Sequence, residues 1–413
     1  MATFINKSLS APSISKDTFI FDDAAGYVVE ATVGDISQNT ITFGNGGGDS
    51  VHALSGNISK NTITFGDGSV DFVQATVGDI SQNTITFGDG VEDFVEATAG
   101  NISKNTITFG NSDFHAVAAF AGDISQNTIT FGNGNGDAVG ASAGNVSKNT
   151  ITFGNGSDAV VAAGNVSQNT ITFGNGAVDN VKAGGDISQN TITFGNGVTD
   201  FVGAVGNISN SKITLGDGNG DAVFTFSDLS NNTIILGNGD SDVVSVGGST
   251  GHDLIIVGNG DLDHIQLDIF SPGTAIGADT IITGIGSSDT VSVGAHTNAD
   301  TFGFSLGTNG TSFTKITGAQ TGDDVAVGNH SGIVTGSDGL GNTLVNEGSN
   351  SSWTSLALFI QAIATQVPGD TFVGNNGTDT FIFTDTANGQ TGAVEIAGVF
   401  ANNSIAGNVL TLG

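Results

Sequence analysis

Along much of the chain, apolar and polar positions alternate in short bursts. Residues 39–43 read NTITF, with Ile41 and Phe43 on one face and Thr40 and Thr42 on the other. That period of two is the signature of a half-buried strand. The burst NTITFG begins at Asn39, Asn61, Asn83, Asn105, Asn127, Asn149, Asn169 and Asn190. A Gly-rich turn follows, GNGGGD in the first copy, and then a second burst, SVHAL, with Val51 and Ala53 inward. A further turn, SGNISK, closes the unit, with Ile58 plugging the corner. Each unit therefore predicts two short strands and two turns.

The glycines that open GDISQN or GNISKN fall at Gly34, Gly56, Gly78, Gly100, Gly122, Gly144, Gly164, Gly185 and Gly206, so the period is 20–22 residues. Decayed units start at Ser227 and Ser249, and a partial unit at Ser13. A terminal repeat is expected to be atypical, so that first copy reads as a cap. Repeats of this length, with no helical spacing, predict an all-β fold: a right-handed parallel β-solenoid (β-roll or β-helix). Each coil should advance about 4.8 Å, stacking Ile41 on Ile63 on Ile85, and Phe43 on Phe65 on Phe87. Asn39, Asn61 and Asn83 should form an amide ladder. The expected organisation is a cap and partial repeat over 1–33, solenoid repeats over 34–270, decayed units over 271–305 and a smaller, mostly β C-terminal domain over 306–413. That last domain holds one predicted helix in SSWTSLALFIQAIATQ, where Trp353, Leu356, Ile360 and Ile363 share a face and VPG ends it.

Charge then narrows the function. The 413 residues include 65 Gly and 40 Asp and Glu, with a net charge of −32, and no Arg. Nucleic-acid binding needs a basic footprint and is excluded. An ordered chain this acidic needs compensation, which bound cations would supply. GDISQ alternates with GNISK, which separates Asp35, Asp79 and Asp123, and equally Lys60, Lys104 and Lys148, along the stack. Charge relief explains that alternation, and each Lys is placed to pair with an Asp one coil away. There is no Cys, no signal-peptide pattern at the N-terminus and no apolar stretch of membrane-spanning length. The six His are scattered, and no HExxH, GxSxG or Walker motif is present, so no enzyme is expected.

The turn GNGSDAV, Gly154 to Val160, resembles the glycine- and aspartate-rich nonapeptide of RTX proteins: Gly154, Gly156, Asp158 and Val160 fall on its second, fourth, sixth and eighth positions. Most units carry one extra residue, as in Gly132 to Asp137, and one has His115 where Asp is expected. The resemblance implies several Ca²⁺ ions held by Gly carbonyls and by Asp49, Asp71, Asp93, Asp137, Asp158, Asp179, Asp200, Asp221, Asp242, Asp263 and Asp289, with folding on binding. The segment GDTFVGNNGTDTFIFTDTANGQTGAVEIAGVF resembles the C-terminal region of RTX-like surface proteins exported by type I secretion. That implies an extracellular or cell-surface location, reached without an N-terminal signal peptide.

Two surfaces stand out. The pairs Thr40/Thr42, Thr62/Thr64, Thr84/Thr86, Thr106/Thr108 and Thr128/Thr130 form columns that resemble the T-x-T face of solenoid ice-binding proteins. Strand propensity and lateral stacking explain the same columns. On the second strand, Phe72, Phe94 and Phe201 point outward, which suggests a covered surface. Together these readings make a secreted, calcium-dependent structural protein that assembles with itself into a bacterial surface layer (S-layer), filament or biofilm matrix. Cell-surface polysaccharide is a further partner, and no membrane span is expected. The alternative is an ice-binding or adhesin module that uses the T-x-T face or the C-terminal domain.

Overall fold

An inward Ile, Phe and Val in every coil, repeated at a fixed period, are all buried at once only if the coils stack in register. The computed structural model has this arrangement. It describes residues 3–268, 277–284, 286, 288–294, 296, 298–304, 312–320, 323–327, 344–349, 371–385, 391–398, 400, 404–406 and 409–412. The chain divides into two compact units, Met1–Asn207 and Ile208–Gly413.

In the first unit the T-x-T strands form one parallel sheet, with Thr40, Ile41 and Thr42 opposite Thr62, Ile63 and Thr64, and these opposite Thr84, Ile85 and Thr86. The second bursts form another parallel sheet, with Ser50–Ala53 against Phe72–Ala75 and then Phe94–Ala97. The corner expected to hold only a plug is a third strand. Ile36–Ser37, Ile58–Ser59, Ile80–Ser81 and their successors pair into their own parallel sheet. Each coil thus has three strands, not two. A corner built of a turn alone would leave the main chain of a buried Ile unpaired, and stacking supplies the partners. After each short strand a residue in the left-handed region swings the chain into the next strand: Gln38 at φ 60°, Lys60 at 58°, Gln82 at 58°.

The core is a set of columns. Ile41, Ile63, Ile85, Val51, Val73 and Ile58 are fully buried. The rings of Phe43, Phe65 and Phe87 stack at centroid separations of 4.7 Å, nearly parallel. That separation is the strand spacing itself. Beside them runs the amide ladder. Asn61 donates from Nδ2 to Asn83 Oδ1 at 3.0 Å and to the Ile36 carbonyl at 2.9 Å, while its Oδ1 accepts the Asn39 N–H at 2.9 Å. Every polar atom of the buried amide is therefore used.

In the second unit the same three sheets recur. The first includes Lys212–Thr214, Thr233–Ile235 and Leu254–Ile256; the second includes Ala222–Thr225, Val243–Val246 and His264–Gln266; the third includes Ile208–Ser209, Leu229–Ser230 and Thr250–Gly251. Leu215, Leu236 and Val257 are buried where the first unit has Phe. The C-terminal region then turns antiparallel. Thr371–Asn375, Asp379–Asp385 and Thr391–Ala397 form a meander whose last strand joins Ser312–Thr317 in parallel, and Val409–Thr411 pairs antiparallel with Asp324–Val327. The predicted helix, with Trp353, Leu356, Ile360 and Ile363, lies outside the described residues.

The Gly-rich turn carries strain that its sequence does not relieve. At one left-handed position the coils place Gly48 (φ 76°) and Gly136 (φ 79°), but also Val70 (66°) and Val178 (65°). A branched Cβ is disfavoured there by about 1–2 kcal/mol. Val70→Gly and Val178→Gly are each expected to raise stability by about 1 kcal/mol, and Gly48→Val to lower it by a similar amount. Equilibrium urea unfolding of the three variants checks this; a loss of stability in both Val→Gly variants would show that the side chains contribute more than the backbone loses.

Candidate functional site: the aspartate columns

Most Gly-rich turns end in an Asp that lies two residues before an inward Val or Ile, as Asp71 does before Val73. Alternation along the strand turns this Asp inward, and Asp49, Asp71 and Asp93 are fully buried. Each uses one carboxylate oxygen to accept a backbone N–H from the coil before it. Asp49 N–H donates to Asp71 Oδ1 at 2.8 Å and Asp71 N–H to Asp93 Oδ1 at 3.0 Å. The pattern continues through Asp137, Asp158, Asp179 and Asp200. In the second unit Asp221 N–H donates to Asp242, Asp242 to Asp263, and Asp263 to Asp289. The sequence-predicted residues are thus collected into columns, one carboxylate per coil.

The second oxygen is the unusual feature. Oδ2 of Asp49, Asp71, Asp93, Asp137, Asp158, Asp179, Asp242, Asp263 and Asp289 is buried and makes no hydrogen bond. An unpaired buried carboxylate oxygen is costly in its charged form. Burial accordingly pushes the pKa up, against the pull of the backbone N–H: to about 7 for Asp71 and Asp93, about 8 for Asp158 and about 7 for Asp242 and Asp289. Neighbouring carboxylates one coil away push in the same direction, as Asp137 and Asp179 do on Asp158.

Glycine is required beside the column. A Cβ on Gly90 would sit 1.6 Å from the Gly68 carbonyl oxygen, and one on Gly176 only 1.5 Å from that of Gly156. The coils close to contact there, with the carbonyls of Gly46, Gly68 and Gly90 taking no backbone hydrogen bond. Orphaned carboxylate oxygens beside free carbonyls are the donor set of a hard cation such as Ca²⁺, and equally a place for protons. Among the described residues, no three Asp, Glu or His side chains converge on one point as a metal cage would have them. A cation in the turn would take one carboxylate per coil and complete its shell with main-chain oxygen and water.

His115 replaces one Asp without breaking the column. Its Nδ1 accepts the Asp93 N–H at 3.3 Å, its own N–H donates to Asp137 Oδ1, and its ring stacks on Phe109 at 5.0 Å. Burial lowers its pKa to about 4, so it is a neutral acceptor.

A second column, in the second unit, is not anticipated from the sequence. At the place of the buried Asn ladder the chain carries Asn232, then Asp253, Asp279, Asp300 and Asp323. Each Oδ1 accepts the preceding N–H at 2.7–3.0 Å. The signal is visible in DLIIV, DTIIT and DTFGF, which carry Asp where NTITF carries Asn. A carboxylate lacks the NH₂ that joins one Asn to the next. His296 enters here, buried, with Nδ1 on the Asn298 carbonyl at 2.8 Å and 3.6 Å from Asp300, and Nε2 3.5 Å from Asp323. Burial works against its charged form, but that carbonyl and the two carboxylates outweigh it and its pKa is raised. Burial raises Asp253 and Asp300 to about 7.

The other sequence candidates are arranged differently. Thr40, Thr62, Thr84, Thr106 and Thr128 form an exposed column, with Thr42, Thr64, Thr86, Thr108 and Thr130 beside it, mostly half-buried. Phe72 and Phe94 stack at 5.2 Å, and Lys182 lies 5.3 Å over the Phe201 ring, all on the outer face of the second sheet. The alternating GDISQ and GNISK turns form no ion pair between Lys60, Lys104 or Lys148 and Asp35, Asp79 or Asp123. Instead Asn57 donates from N and Nδ2 to Asp35 Oδ1, and Asp79 N–H returns to Asn57 Oδ1. Alternation there places an amide donor between carboxylates. No protein-family model and no curated protein matches the sequence.

The raised Asp pKa values fix a pH dependence. A carboxyl whose folded pKa is about 7, against about 3.9 unfolded, contributes stability that is complete below pH ~4 and is lost as pH rises through 7. Asp253→Asn should therefore stabilise the full chain by about 1 kcal/mol at pH 8 and change little at pH 4.5, because Nδ2 restores the donor. Urea unfolding at both pH values checks it; an equal gain at both would mean the carboxyl does not titrate in this range.

Proposed function

We propose that this chain is a secreted structural protein, calcium-loaded through its Gly-Asp turns, that associates with itself into a surface layer, filament or matrix. The observation that carries the reading is the column of buried carboxylates whose second oxygens have no partner. Stacked a few ångströms apart in a chain of net charge −32, they need a positive partner, and oxygen donors beside free carbonyls suit Ca²⁺. At low calcium the column holds protons or repels itself; at high calcium the coils close around the ions. Binding to the folded state alone stabilises by about 2.7 kcal/mol per site at a hundredfold excess over Kd. The likeness of GNGSDAV to the RTX turn and of the C-terminal segment to type I-exported surface proteins supports an extracellular setting. Among the described residues no helix is long and apolar enough to cross a membrane. The reading assigns no catalytic residue; cell-surface polysaccharide is kept as a partner for the C-terminal region.

Calorimetric Ca²⁺ titration at pH 7.5 should show binding with proton release, read as an enthalpy that depends on the buffer's ionisation heat, since part of the column is protonated there. Asp71→Asn with Asp158→Asn should lower both the stoichiometry and the protons released. Electron microscopy with millimolar Ca²⁺ and after chelation then tests assembly. Absence of Ca²⁺ binding would overturn the calcium reading, and dispersed particles in both conditions the assembly reading.

A second reading has its own observation: the T-x-T pairs lie in strict register, with the first Thr of each exposed. Flat, evenly spaced hydroxyls and methyls suit an ice surface. Measurable thermal hysteresis, lost in Thr84→Lys with Thr106→Lys, would favour it over assembly.

A further inference from the structure

We infer that the outer face of the second sheet in the first unit is a homodimer surface, with a two-fold axis lying along the strand direction through the coil of Ala138 and Gly140. The inference rests on the self-association proposed above and names the surface that carries it.

The outward positions of this sheet form two columns. One runs Phe72, Phe94, Ala116, Ala138, Ala159, Asn180, Phe201, each opposite the next. The other contains Glu96, Ala118, Gly140, Val161 and Lys182 in the same register. A two-fold axis along the strands reverses the order of the coils and keeps each column over itself. About the coil of Ala138 and Gly140, Glu96 lies two coils before the axis and Lys182 two coils after it. Each Glu96 therefore meets a Lys182 of the second copy, and the pair forms twice. The same operation lays Phe94 on Asn180, and Phe120, which is 46% exposed, on Ala163. At the two ends of the patch Phe72 meets Phe201 of the second copy, ring on ring, while between them the centre is small enough for two sheets to approach.

Charge identifies the occupant. The chain carries −32 overall, so most pairs of its surfaces repel. Between Phe72 and Gly203 the two outward columns hold one Glu and one Lys, a neutral patch whose charges sit at symmetric heights. Both are held in place within one copy: Gln74 Nε2 donates to Glu96 at 3.2 Å, and Lys182 lies over Phe201. Seven coils about 4.8 Å apart, with strands of four residues at about 3.3 Å each, give roughly 400 Å² of sheet per copy, about half of a standard interface, so the flanking turns with Phe120 must contribute the rest.

The chain has no Cys, and a Cβ at Gly140 would meet nothing within 4 Å. Gly140→Cys in the full-length protein should therefore form a disulfide-linked dimer on mild oxidation. Gln74→Cys, three coils from the axis and thus about 29 Å from its copy, should not. In sedimentation equilibrium, Lys182→Glu should weaken dimerisation at least tenfold, and Glu96→Lys combined with Lys182→Glu should restore it. Equal cross-linking at both Cys positions, or no restoration by the charge swap, in a wild-type protein that still associates would overturn this face and leave self-assembly standing. A wild-type chain that stays monomeric to millimolar concentration would overturn both.

Discussion

Stacking in register means that a buried side chain mostly meets its own kind one coil away, at the 4.7 Å measured between the rings of Phe43 and Phe65. A residue type is admissible at a buried position only if it packs on itself. Ile, Val and Phe do so by shape. Asn does so by chemistry, because each amide donates to the next and accepts from the one before. Asp fails the test: it accepts and cannot donate, so each carboxylate in a column is left with an oxygen that no neighbour of its own type can satisfy. The remaining polar architecture follows from how each column handles that asymmetry.

Three solutions coexist in one coil. The exposed GDISQ and GNISK turns alternate Asp with Asn, so that an amide hydrogen reaches a carboxylate at 3.1 Å between Asn57 and Asp35, and solvent screens the rest. The buried first-strand column of the first unit uses Asn alone. The Gly-Asp turn uses Asp almost throughout, with one neutral His115, and leaves Oδ2 open. In the second unit the first-strand column shifts from Asn232 to Asp253, and His296 lies at ion-pair distance from Asp300 and Asp323.

The hydrophobic period, the repeat length and the Phe and Ile ladders were legible in the sequence, because a period of two inside a period of about 22 leaves little choice of fold. The Asn ladder was legible too, since an Asn before every TIT strand has no other way to be buried in stack after stack. The third strand was not, because a two-residue strand such as Ile58–Ser59 has no internal periodicity and exists only through its neighbours above and below. Left-handed Val70 and Val178 were hidden for a related reason: local preference argues against them, and the stack overrides it. The turn aspartates were recognised as a set, but as a turn that gathers ligands; what the sequence could not express is that each Asp is first a backbone acceptor. The Asp253 column passed unnoticed because an Asp before an apolar strand reads as an ordinary turn residue.

The choice between Asn and Asp at stacked buried sites is therefore a choice between unconditional and conditional order. An Asn column is complete in itself and holds at any pH and any ion concentration. An Asp column in the same coil is complete only when something positive arrives, whether a proton or a hard cation. A chain that already builds the neutral ladder at Asn39, and still places Asp at Asp49 in the same coil, has a self-sufficient alternative and does not use it there. On the reading proposed above, that is the physical content of the Gly-Asp turn: the apolar columns and the amide ladder set the shape of the coil, and the carboxylate column makes its closure depend on the medium. The neutral outer face between Phe72 and Gly203 belongs to the same logic, since an acidic stack can meet its copy only where its own charge cancels.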